Sequence, residues 1–266
     1  MSRISGTFGS LSRPAFIGFI VAGDPDTETS LLIARTLVRA GTDILELGIP
    51  FSDPIADGPV VQRAGTRALA AGATPDSVFA LATKIRAESD VPIVILTYYN
   101  IVYKRGIAKF YRDAAKSGVD GVIIPDLPVE EADEARAEAG KVGIDQILLI
   151  TPSTTKKRQD HILRKGKGFL YLVSVRGVTG MRAGVPEDGI RLLKDLKGRT
   201  SLPLAVGFGI SRPEHAYALK DAGADGVIVG SAIVDIVEAH LEDREQICAS
   251  LDRYVREMRE PLEIKE

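Results

Sequence analysis

Glu46 is the residue whose setting in the sequence is best suited to acid–base chemistry. It lies inside the apolar run Ile44–Gly48, where a carboxylate is unexpected. Burying an ionised carboxylate without a partner is costly, and the usual result is a raised pKa. A glutamate with a pKa near neutrality can both donate and accept a proton, as a general acid–base must. The position also suits a structural glutamate paired with Arg or Lys, so the run alone leaves both roles open.

A second carboxylate, Asp57, lies in the segment that follows this run. Residues 50–59 contain three prolines and two aspartates, Asp53 and Asp57. A loop of this length after a buried strand is usually functional rather than a simple connector. Asp57 also precedes a Gly-Pro pair, which is typical of a turn. Taken alone, the loop therefore allows either a chemical or a purely conformational role for Asp57.

Glycines near the end of the chain predict a site for a phosphate group. The chain contains eight short apolar runs. Gly207 and Gly209 follow the seventh, which ends at Val206, while Gly230 and Ser231 follow the eighth, which ends at Val229, and open a helical pattern. Glycine lets the backbone approach an anion, and the N–H groups and dipole of a helix N-terminus favour negative charge. The alternative is that these glycines only turn tight corners. The paired positions favour phosphate, which α/β barrels commonly bind after strands seven and eight.

Residues 174–188, which follow the sixth apolar run at Val173, have the composition of a lid. Residues 174–184 contain three glycines and two arginines, Arg176 and Arg182, without apolar periodicity. Such loops close over a site and exclude water. A surface loop without that function is the alternative. Aromatic residues near the strand ends, Phe19, Tyr98 and Tyr171, are candidates for an apolar pocket, although core packing is the default for each.

Eight apolar runs, rich in Val, Ile and Leu, supply the strands that position these residues. Each run is continuous rather than alternating, which is typical of a strand covered on both faces in a parallel sheet. The runs are Phe16–Ala22, Ile44–Gly48, Pro92–Leu96, Gly121–Pro125, Gln146–Ile150, Phe169–Val173, Leu202–Val206 and Gly226–Val229.

Helical patterns separate the runs, so the chain is predicted to alternate strand and helix. The first pattern surrounds Leu31–Val38, and the others fit 74–88, 109–117, 129–142, 155–164, 187–197, 213–222 and 232–257. This order suits a closed barrel or a doubly wound sheet. A recurring Ala/Ser-Gly-x-Asp phrase before the strands at 44, 121 and 226 favours the barrel, as does the lack of an early G-x-G-x-x-G turn. We predict a single (β/α)8 TIM barrel domain over 1–266, with an extended loop after strand 2 and a lid loop after strand 6.

Charge and composition exclude several classes of function. The chain has 34 basic and 36 acidic residues and a net charge of −2, so no global basic field attracts nucleic acid or an anionic membrane. No signal-peptide core or long apolar span is present, and we predict a cytoplasmic protein. The three histidines, His161, His215 and His240, fall in helical patterns and match no metal-site spacing. The single cysteine, Cys248, excludes an intrachain disulfide.

Residues 45–59, LELGIPFSDPIADGP, resemble the signature of the tryptophan synthase alpha chain family. The similarity continues through motifs that span nearly the whole chain: 23–25 (GDP), 98–100 (YYN), 125–128 (PDLP), 177–180 (GVTG), 207–210 (GFGI) and 230–234 (GSAIV). The resemblance implies a lyase that cleaves indole-3-glycerol phosphate to indole and glyceraldehyde 3-phosphate, in tryptophan biosynthesis and without a cofactor of its own. Glu46 would be the general acid–base, and Asp57 would stabilise the indolenine tautomer through the ring N–H.

The resemblance also implies a substrate pocket and a partner. The indole would be enclosed by Phe19, Leu96, Tyr98, Ile123 and Tyr171, and Thr179 would reach Asp57 from the lid. The phosphate would be held by Gly180, Gly209, Gly230 and Ser231. A beta chain with pyridoxal phosphate would take up the indole in an α2β2 heterotetramer, facing the Asp53-Pro54 loop. Some members place an arginine directly after the lid serine, where this chain has Val175, so the role of Arg176 stays open.

Two other functions remain compatible with these residues. The first is another phosphosugar barrel, an isomerase or aldolase. An imine-forming aldolase would need a lysine at a strand end, which no run contains, whereas a metal-dependent enzyme would use Glu46, Asp53 and Asp57 around a divalent ion. The second is a non-catalytic subunit that binds a phosphorylated indole and regulates its partner.

Overall fold

The computed structural model describes residues 2–173, 187–207 and 209–263, which form eight strands and twelve helices. The strands are β1 (Ala15–Val21), β2 (Ile44–Gly48), β3 (Ile93–Leu96), β4 (Gly121–Ile123), β5 (Asp145–Ile150), β6 (Leu170–Val173), β7 (Leu204–Gly207) and β8 (Gly226–Val229). The helices are α1 (Arg3–Ser10), α2 (Thr27–Ala40), α3 (Pro59–Ala70), α4 (Pro75–Glu88), α5 (Tyr99–Arg105), α6 (Ile107–Lys116), α7 (Asp133–Lys141), α8 (Lys156–Lys165), α9 (Glu187–Lys197), α10 (Pro213–Asp221), α11 (Ser231–Glu238) and α12 (Arg244–Glu263).

The eight strands close into a parallel barrel in sequence order, with β8 paired to β1. This confirms the predicted (β/α)8 fold. In the register of the first strands, Phe19 of β1 pairs with Glu46 of β2, and Glu46 pairs with Val94 of β3. Since side chains alternate between the two faces of a strand, the three residues point to the same side of the sheet.

Alternation along the strands produces two separate apolar layers. The inward residues fill the barrel and form one cluster: Ile17, Ile44, Val94, Ile123, Ile147, Phe169, Tyr171, Ala205 and Ile228. The outward residues, such as Leu45, Leu47 and Val206, pack with the surrounding helices in the larger cluster. Because both faces of each strand are covered by apolar groups, the runs are continuous rather than alternating.

The N-terminal helix α1 closes one end of the barrel. Its fully buried Ile4 joins the interior cluster, and Phe8 lies against Phe169 with ring centroids 5.7 Å apart. Phe169 immediately precedes β6, so α1 covers the end where the strands begin. The opposite end, where the strands finish, is therefore where loops can form a site.

Three helices were not predicted from the sequence, and one predicted helix is in fact two. The additional helices are α1, α3 and α5. The pattern over 232–257 predicted one helix, but α11 ends at Glu238 and α12 begins at Arg244. The break occurs because Asp243 accepts a hydrogen bond from the backbone N–H of Gln246 at 2.9 Å and so caps a new helix. His240 was predicted to lie in a helix, but it lies in this turn.

Candidate active site

Glu46 lies in the middle of β2 with its side chain in the barrel interior. Only 1% of the residue is exposed, and its Oε2 atom has no hydrogen-bond partner among the residues that the structure describes. Burial, and then the nearby charge of Asp57, raise the pKa of Glu46 to about 8. A carboxyl group in this setting is mostly protonated at neutral pH, and it can still lose its proton under mild conditions. This is the property that a general acid–base requires.

Asp57 lies at the end of the loop that follows β2, next to the start of α3. The following residue, Gly58, is the N-cap of α3, and Gln62 in the first turns donates to the backbone oxygen of Asp57 at 2.9 Å. The pKa of the Asp57 carboxyl is raised by burial, and the Tyr98 hydroxyl partly offsets that rise. The charge of Asp57 raises the pKa of Glu46, so Asp57 is more than a turn residue.

Tyr98 joins this loop to the end of β3. Its hydroxyl accepts a hydrogen bond from the backbone N–H of Ala56 at 3.1 Å and interacts with the Asp57 side chain. Its ring stacks on Phe51, with centroids 5.3 Å apart and an interplanar angle of 28°. Burial, followed by the Asp57 charge, raises the pKa of the Tyr98 hydroxyl well above its usual value, so it stays protonated as a donor. Tyr98 therefore fixes the loop from both ends.

Two glycines make room for the Phe19 ring. A Cβ atom at Gly48, the last residue of β2, would lie 2.8 Å from the ring, and one at Gly230 would lie 3.2 Å from it. Phe19 is itself 7% exposed. The ring thus occupies space that exists because the neighbouring strand ends carry no side chain. A glycine at an inward-facing strand position is a sequence signal for such a close approach.

Tyr171 of β6 is placed by the same device. A Cβ atom at Gly207 of β7 would lie 2.6 Å from the Tyr171 hydroxyl. Burial, and then the charges of Glu46 and Asp57, raise the pKa of Tyr171 well above its usual value. The Tyr171 ring is therefore close to both carboxylates.

The structure brings most of the predicted pocket residues to one region. Phe19, Leu96 and Asp57 line a common cleft, and Ile123 packs with Tyr171 in the interior cluster. The cleft also includes residues that sequence reasoning missed: Val21, Gly48, Ile49, Pro50, Phe51, Pro54, Val61, Gln62 and Gly65. Of these, Gly48 could have been found from its position on the strand, two residues after Glu46. Phe51 carries no such signal, because the position of its ring is set by stacking on Tyr98.

The predicted phosphate residues divide between described and undescribed parts of the chain. Gly230 is the N-cap of α11 and Ser231 is its first residue, while Gly209 is exposed and has a φ of 76° in the left-handed region. All three follow the adjacent strands β7 and β8. Gly180, Thr179 and the rest of 174–186, including Arg176, lie outside the described residues.

The side chains considered for a divalent metal do not form a metal site. Within 2–173, 187–207 and 209–263, no three His, Cys, Asp or Glu side chains come close enough to hold an ion. Glu46, Asp53 and Asp57 all belong to these ranges.

None of the helices that the structure describes combines the length and the apolar character needed to span a membrane.

A closed (β/α)8 barrel with two electrostatically coupled carboxylates and an apolar cleft at its strand ends defines an acid–base barrel enzyme of small-molecule metabolism. The model of the tryptophan synthase alpha chain family matches residues 8–263. The chain belongs to the tryptophan synthase alpha chain family, as the resemblance predicted.

Individual relatives agree with this assignment. The tryptophan synthase alpha chain of Methanoregula boonei is 55% identical over 263 residues, which cover 99% of each chain. The crystal structure of tryptophan synthase subunit alpha from Legionella pneumophila superposes with a TM-score of 0.88 at 34% identity, covering 98% of each chain. A structure of the tryptophan synthase α2β2 complex from Pyrococcus furiosus contains a chain with a TM-score of 0.87 at 39% identity, over 92% of this chain and 98% of that one.

Proposed function

We propose that this chain cleaves indole-3-glycerol phosphate to indole and glyceraldehyde 3-phosphate, with Glu46 as the general acid–base and Asp57 as the partner of the indole nitrogen. The lyase reaction is that of the family to which the chain belongs. The observation that supports the residue roles most strongly is the pairing of a buried glutamate, with a pKa of about 8, and a second carboxylate close enough to raise it.

The chemistry needs two proton transfers, and one glutamate can perform both. Protonated Glu46 first donates to C3 of the indole, which becomes tetrahedral. The resulting carboxylate then accepts the proton of the hydroxyl on the adjacent side-chain carbon. The C–C bond breaks, its electron pair returns to the ring, and the carbonyl of glyceraldehyde 3-phosphate forms. The proton at C3 remains in the indole product, so atoms and charges balance. No cofactor in this chain takes part.

Asp57 has the complementary electrostatic role. Protonation at C3 leaves a positive charge on the ring N–H, and a fixed carboxylate stabilises charge that develops in this way. Burial raises the pKa of Asp57, and the Tyr98 hydroxyl partly offsets that rise and so favours the ionised form. The ring would be enclosed by Phe19, Leu96, Tyr98, Ile123 and Tyr171. The phosphate would bind at Gly209, after β7, and at Gly230 and Ser231, where helix α11 begins. Gly180 and Thr179 remain predictions from the family resemblance.

The loop between β2 and α3 also supports a partner surface. Ile55 is 81% exposed, and Tyr103, in helix α5 after β3, is 68% exposed. Both follow strands β2 and β3 at the end of the barrel that holds the carboxylates. We assign this surface to a beta chain, which carries pyridoxal phosphate and receives the indole in an α2β2 assembly. A cytoplasmic location belongs to the same proposal, and the biosynthetic role of the family supports it.

Indole release by the purified chain tests the proposal. The wild type and Glu46→Gln are assayed on indole-3-glycerol phosphate, alone and with a beta chain. We expect weak cleavage alone, a large rise with the partner, and loss of cleavage in the variant under both conditions. Wild-type cleavage that persists in Glu46→Gln would contradict the assignment of Glu46. Binding of substrate without cleavage would instead support the regulatory-subunit alternative.

A further inference from the structure

Helix α3 carries two arginines, one turn apart, that belong to an ion-pair network separate from Glu46 and Asp57. Arg67 donates through Nε and Nη2 to both oxygens of Asp24, at 2.8 and 2.9 Å. Its Nη1 donates to Glu238 at 2.7 Å. Arg63 makes a two-point contact with the same Glu238, at 2.9 and 2.6 Å. Arg67 is therefore the residue that links two carboxylates from different elements.

The network is built around a buried charge. Asp24 is 4% exposed, and the side chain of Arg67 is 22% exposed. Burial raises the pKa of Asp24 while Arg67 lowers it. Since desolvation offsets much of the attraction in a buried pair, such a network is weak evidence of added stability. A planar guanidinium that bonds two carboxylates at once does fix their relative orientation, which a flexible ammonium does not.

The three elements joined by Arg67 are those that bear on the proposed site. Asp24 follows β1, the strand of Phe19. Helix α3 begins at Pro59, two residues after Asp57. Glu238 is the last residue of α11, whose first residue is Ser231. Arg67 thus connects the helix that continues from Asp57 with the helix whose N-terminus would bind the phosphate.

We propose that Arg67 is a positioning residue that sets helix α3, and with it Asp57, against the N-terminus of α11. The proposal rests on the function assigned above to Asp57 and Ser231. Arg67 lies eight residues after Pro59, about 12 Å along the helix, and its charge is not among the causes that shift the pKa of Asp57 or Glu46. Its effect is therefore carried by the placement of α3 and not by its charge. Substrate held at both the phosphate and the ring requires the two helices to keep a fixed spacing.

Matched substitutions on one helix test this role. Arg67→Met removes both links, whereas Arg63→Met leaves the Asp24–Arg67–Glu238 chain intact and serves as the control. Arg67→Lys keeps a cation beside Asp24 without the two-point geometry, so it remains informative if Arg67→Met does not fold. Steady-state cleavage of indole-3-glycerol phosphate is measured for each across pH 5–10, beside thermal unfolding.

We expect Arg67→Met to lower kcat/KM at least tenfold, with Arg67→Lys intermediate and Arg63→Met within twofold of wild type. A displaced Asp57 would no longer raise the pKa of Glu46 as strongly, so the alkaline limb of the kcat/KM profile should move to lower pH in Arg67→Met. Loss of folded protein alone would reduce kcat without moving that limb. Folded Arg67 variants with wild-type kcat, KM and pH profile would overturn the positioning role. Absence of cleavage in the wild type would instead refute the proposed function.

Discussion

The hydroxyl of Tyr98 lies beside the carboxylate of Asp57 and lowers its pKa, and this relationship links the β2–α3 loop to the end of β3. The same hydroxyl accepts the backbone N–H of Ala56. A single side chain therefore sets both the position of Asp57 and its ionisation. The candidate active site depends on contacts between loops as much as on the residues that face the substrate.

Removing this hydroxyl should impair catalysis at low pH. In Tyr98→Phe the pKa of Asp57 should rise further, because the hydroxyl that lowers it is lost. Since the reaction needs ionised Asp57, the acidic limb of the kcat/KM profile should move to higher pH, and kcat/KM should fall about tenfold, equivalent to about 1.4 kcal/mol. Tyr111→Phe is the control, because Tyr111 is also buried and hydrogen bonds to Gln146 on the outer face of β5. An unmoved acidic limb in Tyr98→Phe would count against the contact.

The pKa of Glu46 predicts how cleavage depends on pH. The group must be protonated to donate to C3, so kcat/KM should be level near neutrality and fall above about pH 8. Glu46→Gln should lower kcat by about 10²–10⁴-fold, the usual contribution of a general acid–base. The measurement is a pH–rate profile, with the fold of the variant checked by circular dichroism. An alkaline limb unrelated to Glu46 would remain in any residual activity of the variant.

The same group should make stability depend on pH. The pKa of Glu46 is about 8 in the folded chain and about 4.5 when unfolded. The folded state thus binds the proton more tightly, and this contribution is complete below pH 4.5 and lost as pH rises to 8. Glu46→Gln has no such loss, so its free energy of unfolding relative to wild type should increase by about 4 kcal/mol between pH 5 and pH 9. Denaturant unfolding at the two pH values measures the difference. Parallel pH dependence in both proteins would contradict the buried-acid assignment.

A methyl group at Gly48 should disturb the pocket through Phe19. The added Cβ would lie 2.8 Å from the ring, and overpacking of this kind costs about 1–3 kcal/mol. Gly48→Ala should therefore raise KM several-fold and lower the melting temperature. Gly9→Ala in helix α1, at the opposite end of the barrel, is the matched control, since a Cβ there meets nothing within 4 Å and alanine favours the helix. Equal effects of the two substitutions would argue against the contact with Phe19.

A charge on the proposed partner surface should uncouple the two chains. Ile55 is 81% exposed, so Ile55→Asp should leave the melting temperature and the cleavage rate of the isolated chain unchanged. Affinity for a beta chain, measured by titration calorimetry, should fall at least tenfold, together with the rise in activity on mixing. Tyr217→Asp replaces another exposed apolar residue, on α10, and should bind normally. Unchanged affinity in Ile55→Asp would move the interface elsewhere.

Much of the fold was predictable because burial on both faces leaves a continuous apolar run. β2, β8 and α9 have the predicted boundaries, and the family and its lyase function are confirmed. The seventh run began too early, at Leu202, because Pro203 has no N–H to join the ladder, and β7 starts at Leu204. Helix α3 was missed because Gly58, Pro59 and Gly65 suggest a loop, although Pro suits the first turn of a helix.

The site was only partly predictable, for a different reason. Glu46 is conspicuous because a charge inside an apolar run violates the local pattern. The roles of Tyr98 and Phe51 depend on how two loops meet, and no single run contains that information. The residue roles, the extent of the domain over 1–266 and the cytoplasmic location stay predictions.

The seating of Phe19 between Gly48 and Gly230 has an evolutionary consequence. A side chain gained at either glycine is penalised while the ring remains, and a smaller residue at position 19 leaves a void until a glycine is replaced. Because either first step is unfavourable, change at this wall of the pocket is favoured only when Phe19 and a neighbouring glycine are substituted together. The three positions form an epistatic unit that can be inherited intact while the surrounding surface diverges. Libraries meant to widen the range of indoles accepted should vary them together.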